Sequence, residues 1–304
     1  MMRPHPAAFD AATTGVAPVP YPRVIVGIDF SPASLAGCRW ALTFVARGVD
    51  ALFAHVVPFE HPSCFGSDDA PAPSRLDSLQ HIAPALSGGL GGFAATLGIA
   101  SARTAVRAGR PSVRLGKLAE EFAASLIVVG RRLDANRKRI GEANVVARLT
   151  RRARVPVLVV PEGVVAAPRC IVAAIDEGLG SVTVLRAAAT VAATLNLPLI
   201  ALHVLQPATG AYDRVVNARR RTIAPSAGDA PESAAGQLTL AVGDPAREIV
   251  AASMAHGGGL LVVGKRGADG SPVGSLGSVA RELLAKSPLP VLAIDVAEAF
   301  RGSG

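Results

Sequence analysis

Gly264-Lys-Arg-Gly267 is followed, after nine residues, by Gly277-Ser278. The apolar run Leu260-Leu-Val-Val263 ends just before this loop. Glycines that follow a parallel strand let main chain approach a ligand closely, with N–H groups pointing inward. A helix starting near Ser278 adds its free N–H groups and the positive end of its dipole. Such a loop suits phosphate; the plainer reading is an ordinary Gly/Ser surface loop. Lys265 and Arg266 could touch phosphate or stay solvated. Asp176 follows another apolar run, where an aspartate either caps a turn or meets a ligand hydroxyl. His55 and His203 look like a matched pair, but each lies on a buried strand and reads as a core or carbonyl-bonded histidine.

The elements around these residues occur twice. Val24-Ile-Val-Gly-Ile-Asp29 answers Ile171-Val-Ala-Ala-Ile-Asp176, and Ala54-His-Val56 answers Leu202-His-Val204. Gly109-Arg-Pro111 answers Gly243-Asp-Pro245, and Leu126-Ile-Val-Val-Gly130 answers Leu260-Leu-Val-Val-Gly264. Val155-Pro-Val-Leu158 answers Leu289-Pro-Val-Leu292. The offset is 147 or 148 for the first two pairs and 134 for the rest, so the second copy has a shorter crossover. That crossover, 206–236, is expected to hold one short helix, Tyr212–Arg221. The first copy's longer crossover should end in an amphipathic helix near Arg75–Leu97. Ser31-Pro32 predicts a capped helix start with proline at the first position.

Each copy therefore reads as strands alternating with helices, which implies a parallel sheet covered on both faces. Ligands of such sheets sit at the carboxyl ends of the strands, where the winding reverses. Asp29, Val56 and Gly130 should face one crevice, and Asp176, Val204 and Gly264 another. The expected architecture is two tandem Rossmann-like α/β domains, each with a five-stranded parallel sheet. The expected boundaries are a tail at 1–21, a first domain at 22–162, a second at 168–297 and a tail at 298–304.

The 304 residues suffice for two domains, and half are hydrophobic, so a substantial core is available. Aromatics make up only 4% of the chain, which argues against stacking platforms for single-stranded nucleic acid. No apolar run approaches the roughly 18 residues of a membrane span. The nearest, Val155–Ala167, is broken by Pro156, Pro161 and Glu162. Cys38, Cys64 and Cys170 form neither a disulfide framework nor a zinc signature, and a reduced cytoplasm fits them best. Cys38, Cys170 and Trp40 read as core residues. The net charge of +8 sits in the first half, and Arg131–Arg154 holds nine basic and two acidic residues. That run reads as a solvated helix face or as an anion or nucleic-acid contact.

On these motifs the chain resembles the universal stress protein family in its tandem-domain form. The resemblance covers about Tyr21 to Val296. The family's adenine-nucleotide loop, G-x2-G-x9-G-[S/T], is matched in the second copy by Gly264, Gly267, Gly277 and Ser278. The resemblance implies that these residues wrap the phosphates of ATP, with Val279 adding an amide; Arg266, a cation in the same loop, is counted with the nucleotide-binding residues. It implies that Asp176 holds ribose hydroxyls, that main chain at Val204 reads the adenine edge, and that Mg2+ enters through the phosphates. It also implies that the last strands pair the two copies as a pseudo-dimer, with a homodimer of chains possible.

The first copy keeps Asp29, Val56 and Gly130 but has Leu133 for the second glycine and Ala143-Asn144 for Gly-Ser. A leucine would fill phosphate space, and Ala143 would restrict the main chain if that position needs a positive φ. One competent site is expected, in the second half; the first is empty or takes another anion through Arg131 and Arg132. No G-x4-G-K-[ST] loop occurs, nor any residue pattern that serves as a general base. No catalytic residue or protein metal site is assigned, and hydrolysis is expected to be slow at most. The expected role is a cytoplasmic, ATP-binding stress-response or regulatory protein, with no membrane partner. The alternative is a nucleotide-independent module that uses Arg131–Arg154 against nucleic acid or an acidic partner, nucleic acid being the less favoured contact.

Overall fold

The computed structural model describes residues 21–45, 49–58, 73–99, 102–132, 142–164, 167–206, 237–266 and 275–296. The first half runs β1 (Arg23–Gly27), α1 (Pro32–Val45), β2 (Asp50–Val57), α2 (Pro73–Thr96) and β3 (Arg103–Ala108). It continues with α3 (Pro111–Glu121), β4 (Leu126–Arg131), α4 (Glu142–Arg152) and β5 (Val157–Pro161). The second half runs β6 (Cys170–Ile175), α5 (Gly180–Leu195), β7 (Leu199–Leu205) and β8 (Gln237–Val242). It closes with α6 (Pro245–Ala255), β9 (Gly259–Gly264), α7 (Ser278–Lys286) and β10 (Val291–Ile294). The helix expected at Tyr212–Arg221 lies outside the described residues.

Local chemistry sets the helix starts. Ser31 precedes Pro32, and its hydroxyl accepts from the Ser34 N–H at 3.3 Å. Pro111 and Pro245 open α3 and α6, and Asp244 caps α6 by accepting from the Arg247 N–H at 3.0 Å. Helix α5 ends on Asn196 at φ 54°, a left-handed position that asparagine tolerates.

The ten strands form one sheet in the order β3-β2-β1-β4-β5-β10-β9-β6-β7-β8. Within each half all pairings are parallel; only β5 and β10 run antiparallel. Val159 pairs with Val291, Leu158 with Leu292 and Val157 with Ala293. Leu158 and Leu292 occupy equivalent places in the two copies, so a pseudo-twofold axis passes between them. Both strands are buried on both faces, as continuous apolar runs require. One hydrophobic core covers each face of the sheet, and each core draws side chains from both halves. Winding reverses between β1 and β4 and again between β6 and β9, which fixes two crevices at strand carboxyl ends. Among the described residues no helix is long and apolar enough to cross a membrane.

Candidate functional site

The crevice of the second half opens into a cavity of about 380 Å³. Asp176, Val204, Gly264 and Arg266 line it, together with Gly277, Ser278 and Val279. Seven of the eight residues singled out in this half therefore meet in one place. Gly267 lies outside the described residues, as does the first copy's Leu133.

Each contributor is held by its element. Asp176 leaves β6 and folds back onto the start of α5. Its carboxylate accepts from the Gly178 N–H at 2.8 Å and from the Ser181 hydroxyl at 2.9 Å. The turn-capping role is thus present, and it fixes the carboxylate at the cavity wall. Ser181, buried at the start of α5, also accepts from the Asp176 N–H at 2.9 Å. Arg266, its side chain largely buried, lines the cavity and pairs with Asp295 at 3.2 Å.

The loop is closed by main chain. The Gly277 N–H donates to the Lys265 carbonyl at 2.9 Å, and Gly277 then serves as N-cap of α7. Gly277 sits at φ −59°, which any residue can adopt. The expectation that this position might need a positive φ is corrected: glycine contributes the absence of a side chain beside the cavity. Gly264 is constrained differently, because a Cβ there would lie 2.8 Å from the Arg266 carbonyl oxygen.

Lys265 does not reach the cavity. Its ammonium is buried and donates to the Ala153 carbonyl at 2.6 Å and the Val155 carbonyl at 3.0 Å, at the end of α4 in the other half. Burial pushes its pKa down from 10.5 to about 8; Asp295 opposes that shift and Arg266 adds to it. Arg131, its counterpart at an offset of 134, mirrors the contact. Its guanidinium donates to the Ala285 carbonyl at 2.8 Å and to that of Ser287, at the end of α7. Two cations thus cross the pseudo-twofold axis onto helix carboxyl ends, where the dipole favours them. Arg131 is therefore committed to the junction and is not the anion reader expected in the first half.

The first crevice is built from the same positions and packed differently. The Asp29 carboxylate accepts from the Ser31 N–H at 3.0 Å and the Ser31 hydroxyl at 2.5 Å. Burial alone would raise its pKa, but the Ser31 and Ser34 hydrogen bonds and the Arg132 charge together hold it below the ordinary value. Gly130 lies directly under the first turn of α1, where a Cβ would meet the Ala33 carbonyl at 2.1 Å. Gly37 on α1 permits that approach, with a Cβ there 3.3 Å from the Gly130 nitrogen. The second half has Val184 in the place of Gly37. Phe30, at φ 61°, lays its ring 5.2 Å from that of His55. Val56 is buried at the end of β2. His55 Nδ1 bonds the Ile28 carbonyl at 2.7 Å, a carbonyl-bonded histidine as its strand position implied. Its counterpart His203 lines the second cavity instead.

Ser181, His203, Gln206 and Ile249 also line the cavity and were not assigned a site role from sequence. Ser181 was within reach, because the offset of 147 sets it against Ser34 beside the other aspartate. Gln206 and Ile249 carried no pattern that marked them.

The fold and crevice define a tandem Rossmann-like protein with a candidate ligand site at the carboxyl ends of its strands. The model of the universal stress protein family matches residues 20–161 and again 169–295, and the chain belongs to that family. No curated protein sequence matches the chain. Among solved structures it resembles a universal stress protein from Archaeoglobus fulgidus, with 19% identity and a TM-score of 0.63 over 90% of this chain and 98% of that one. It also resembles a putative universal stress protein from Pseudomonas aeruginosa, with 16% identity and a TM-score of 0.58 over 92% and 97%. These likenesses are likenesses of fold.

Proposed function

We propose that this universal stress protein binds one adenine nucleotide, ATP, in the crevice of its second domain and acts as a stress-response or regulatory protein in the cytoplasm. The observation that carries the reading is the convergence of Asp176, Arg266 and the main chain of Gly264, Gly277, Ser278 and Val279 on one cavity. Its volume, about 380 Å³, lies in the range of small-molecule sites. The phosphates lie against the loop and the start of α7, where free N–H groups and the helix dipole meet them. Arg266 faces them as a partly shielded cation. Asp176, fixed by Ser181, accepts from ribose hydroxyls, and main chain at Val204 meets the adenine edge. Mg2+ comes with the phosphates. Among the described residues no group of three His, Cys, Asp or Glu side chains could hold a metal without them.

The first crevice is the weaker site in this reading, because Ala33 rests on Gly130 and Phe30 packs on His55. No motif in the sequence marks a general base at the loop, so binding without fast turnover is the chemistry proposed.

Calorimetric titration of ATP into the intact protein tests the reading. Micromolar affinity, about −8 kcal/mol, is expected, with a loss of roughly 100-fold in Gly277→Leu. Absence of heat and of competition by any adenine nucleotide in the intact protein would remove it.

A further inference from the structure

The first domain carries a cavity that the strand-end crevices do not use. It measures about 360 Å³ and is lined by Arg110, Ser112, Arg148, Arg151 and Arg152. Arg110 stands at the start of α3, while the other three arginines project from α4, which packs on α3. Their spacing of i, i+3 and i+4 puts these three on one face of α4. All four guanidinium side chains belong to exposed residues, Ser112 is buried, and among the described residues no acidic one lines the cavity.

The second domain serves as an internal control. At the offset of 134, Arg110 becomes Asp244, Ser112 becomes Ala246 and Arg148 becomes Glu282; Arg151 becomes Ala285 and Arg152 becomes Lys286. There Asp244 caps α6, and Glu282 pairs with Lys286 at 2.6 Å. The same scaffold therefore folds with two acids and one base where the first domain has four bases. Arg148 and Arg152, four residues apart, repel each other, so fold stability does not account for the cluster.

We infer that this cavity is an anion site for an oligophosphate group, two or three linked phosphates on a small ligand. Guanidinium forks bind phosphate oxygens bidentately, and one isolated phosphate has too few oxygens to pair the three forks of α4. Linked phosphates offer enough oxygens within a compact volume. Nucleic acid fits less well, because its phosphates call for a basic stripe spread along a surface, and here the cations converge on a concavity.

Sodium tripolyphosphate titrated into the full-length protein at about 50 mM salt tests the inference. Saturable binding that persists in Gly277→Leu is expected, weakened at least tenfold by R148Q/R152Q and partly restored by R148K/R152K. Absence of saturable binding, or equal binding by R148Q/R152Q, would overturn it. So would loss of binding in Gly277→Leu alone, which would place the anion in the nucleotide crevice. A duplex DNA that needs Arg148 and Arg152 while tripolyphosphate is ignored would overturn it in favour of nucleic acid.

Discussion

Lys265 works in two directions. Its carbonyl accepts from Gly277 and closes the loop, while its ammonium holds the end of α4 across the pseudo-twofold axis. Folding lowers its pKa from 10.5 to about 8, so between those values the unfolded chain binds more protons. Stability attributable to this group therefore rises with pH across that window. Urea unfolding of wild type and Lys265→Met should diverge in favour of wild type as pH increases from about 8 to 10.5, by about 1–3 kcal/mol. Burial pushes the Cys38 thiol up to about 12, which works in the opposite sense above its ordinary value, but it is common to both proteins and cancels in the difference. Asp176→Ala removes the side-chain acceptor of Gly178 and one of the two acceptors of Ser181. Thermal unfolding should show a loss of about 1–2 kcal/mol, and ATP affinity should fall about tenfold.

At the scale of elements, the two copies differ most in how the helix after the first strand meets the sheet. Gly37 lets α1 rest on Gly130, whereas Val184 occupies that place in α5 above an open cavity. Gly37→Val should overpack α1 against β4 and cost about 1–3 kcal/mol by denaturant unfolding. The repeat pattern made the strands, their winding and the two crevices legible, because buried parallel strands are continuous apolar runs. Gly264, Gly277 and Ser278 were legible through loop spacing, Asp176 and Val204 through their places at strand ends in the repeat, and Val279 only through the family resemblance. The fate of Lys265 and Arg131 was not, since a cation beside a glycine loop has the same sequence signature whether it meets phosphate or a helix end across a domain junction. The close approach of Ala33 to Gly130 and the packing of Phe30 on His55 were equally hidden. Sequence pointed to Leu133 and Ala143, while the described contacts lie at the other wall.

Across the whole molecule, β5 and β10 turn two five-stranded sheets into one of ten. The pairing of the last strands, which the family resemblance implied, also hides apolar edges that would otherwise be left exposed. Leu158, fully buried on the axis, supports both halves, and Arg131 and Lys265 flank it as reciprocal clamps. Leu158→Asp should cost at least about 3–5 kcal/mol, and calorimetric unfolding should resolve two transitions where the wild type shows one. Duplication has also freed the halves to differ: one keeps an open crevice, and the other carries the arginine-lined cavity.

Hydrogen–deuterium exchange with and without saturating ATP tests the central claim most directly. Slower exchange is predicted in peptides spanning Ile175–Ser181 and Leu276–Val279, with Ile28–Ser34 unchanged. Protection at Ile28–Ser34 without change in the second-domain peptides, or no protection anywhere, would contradict it.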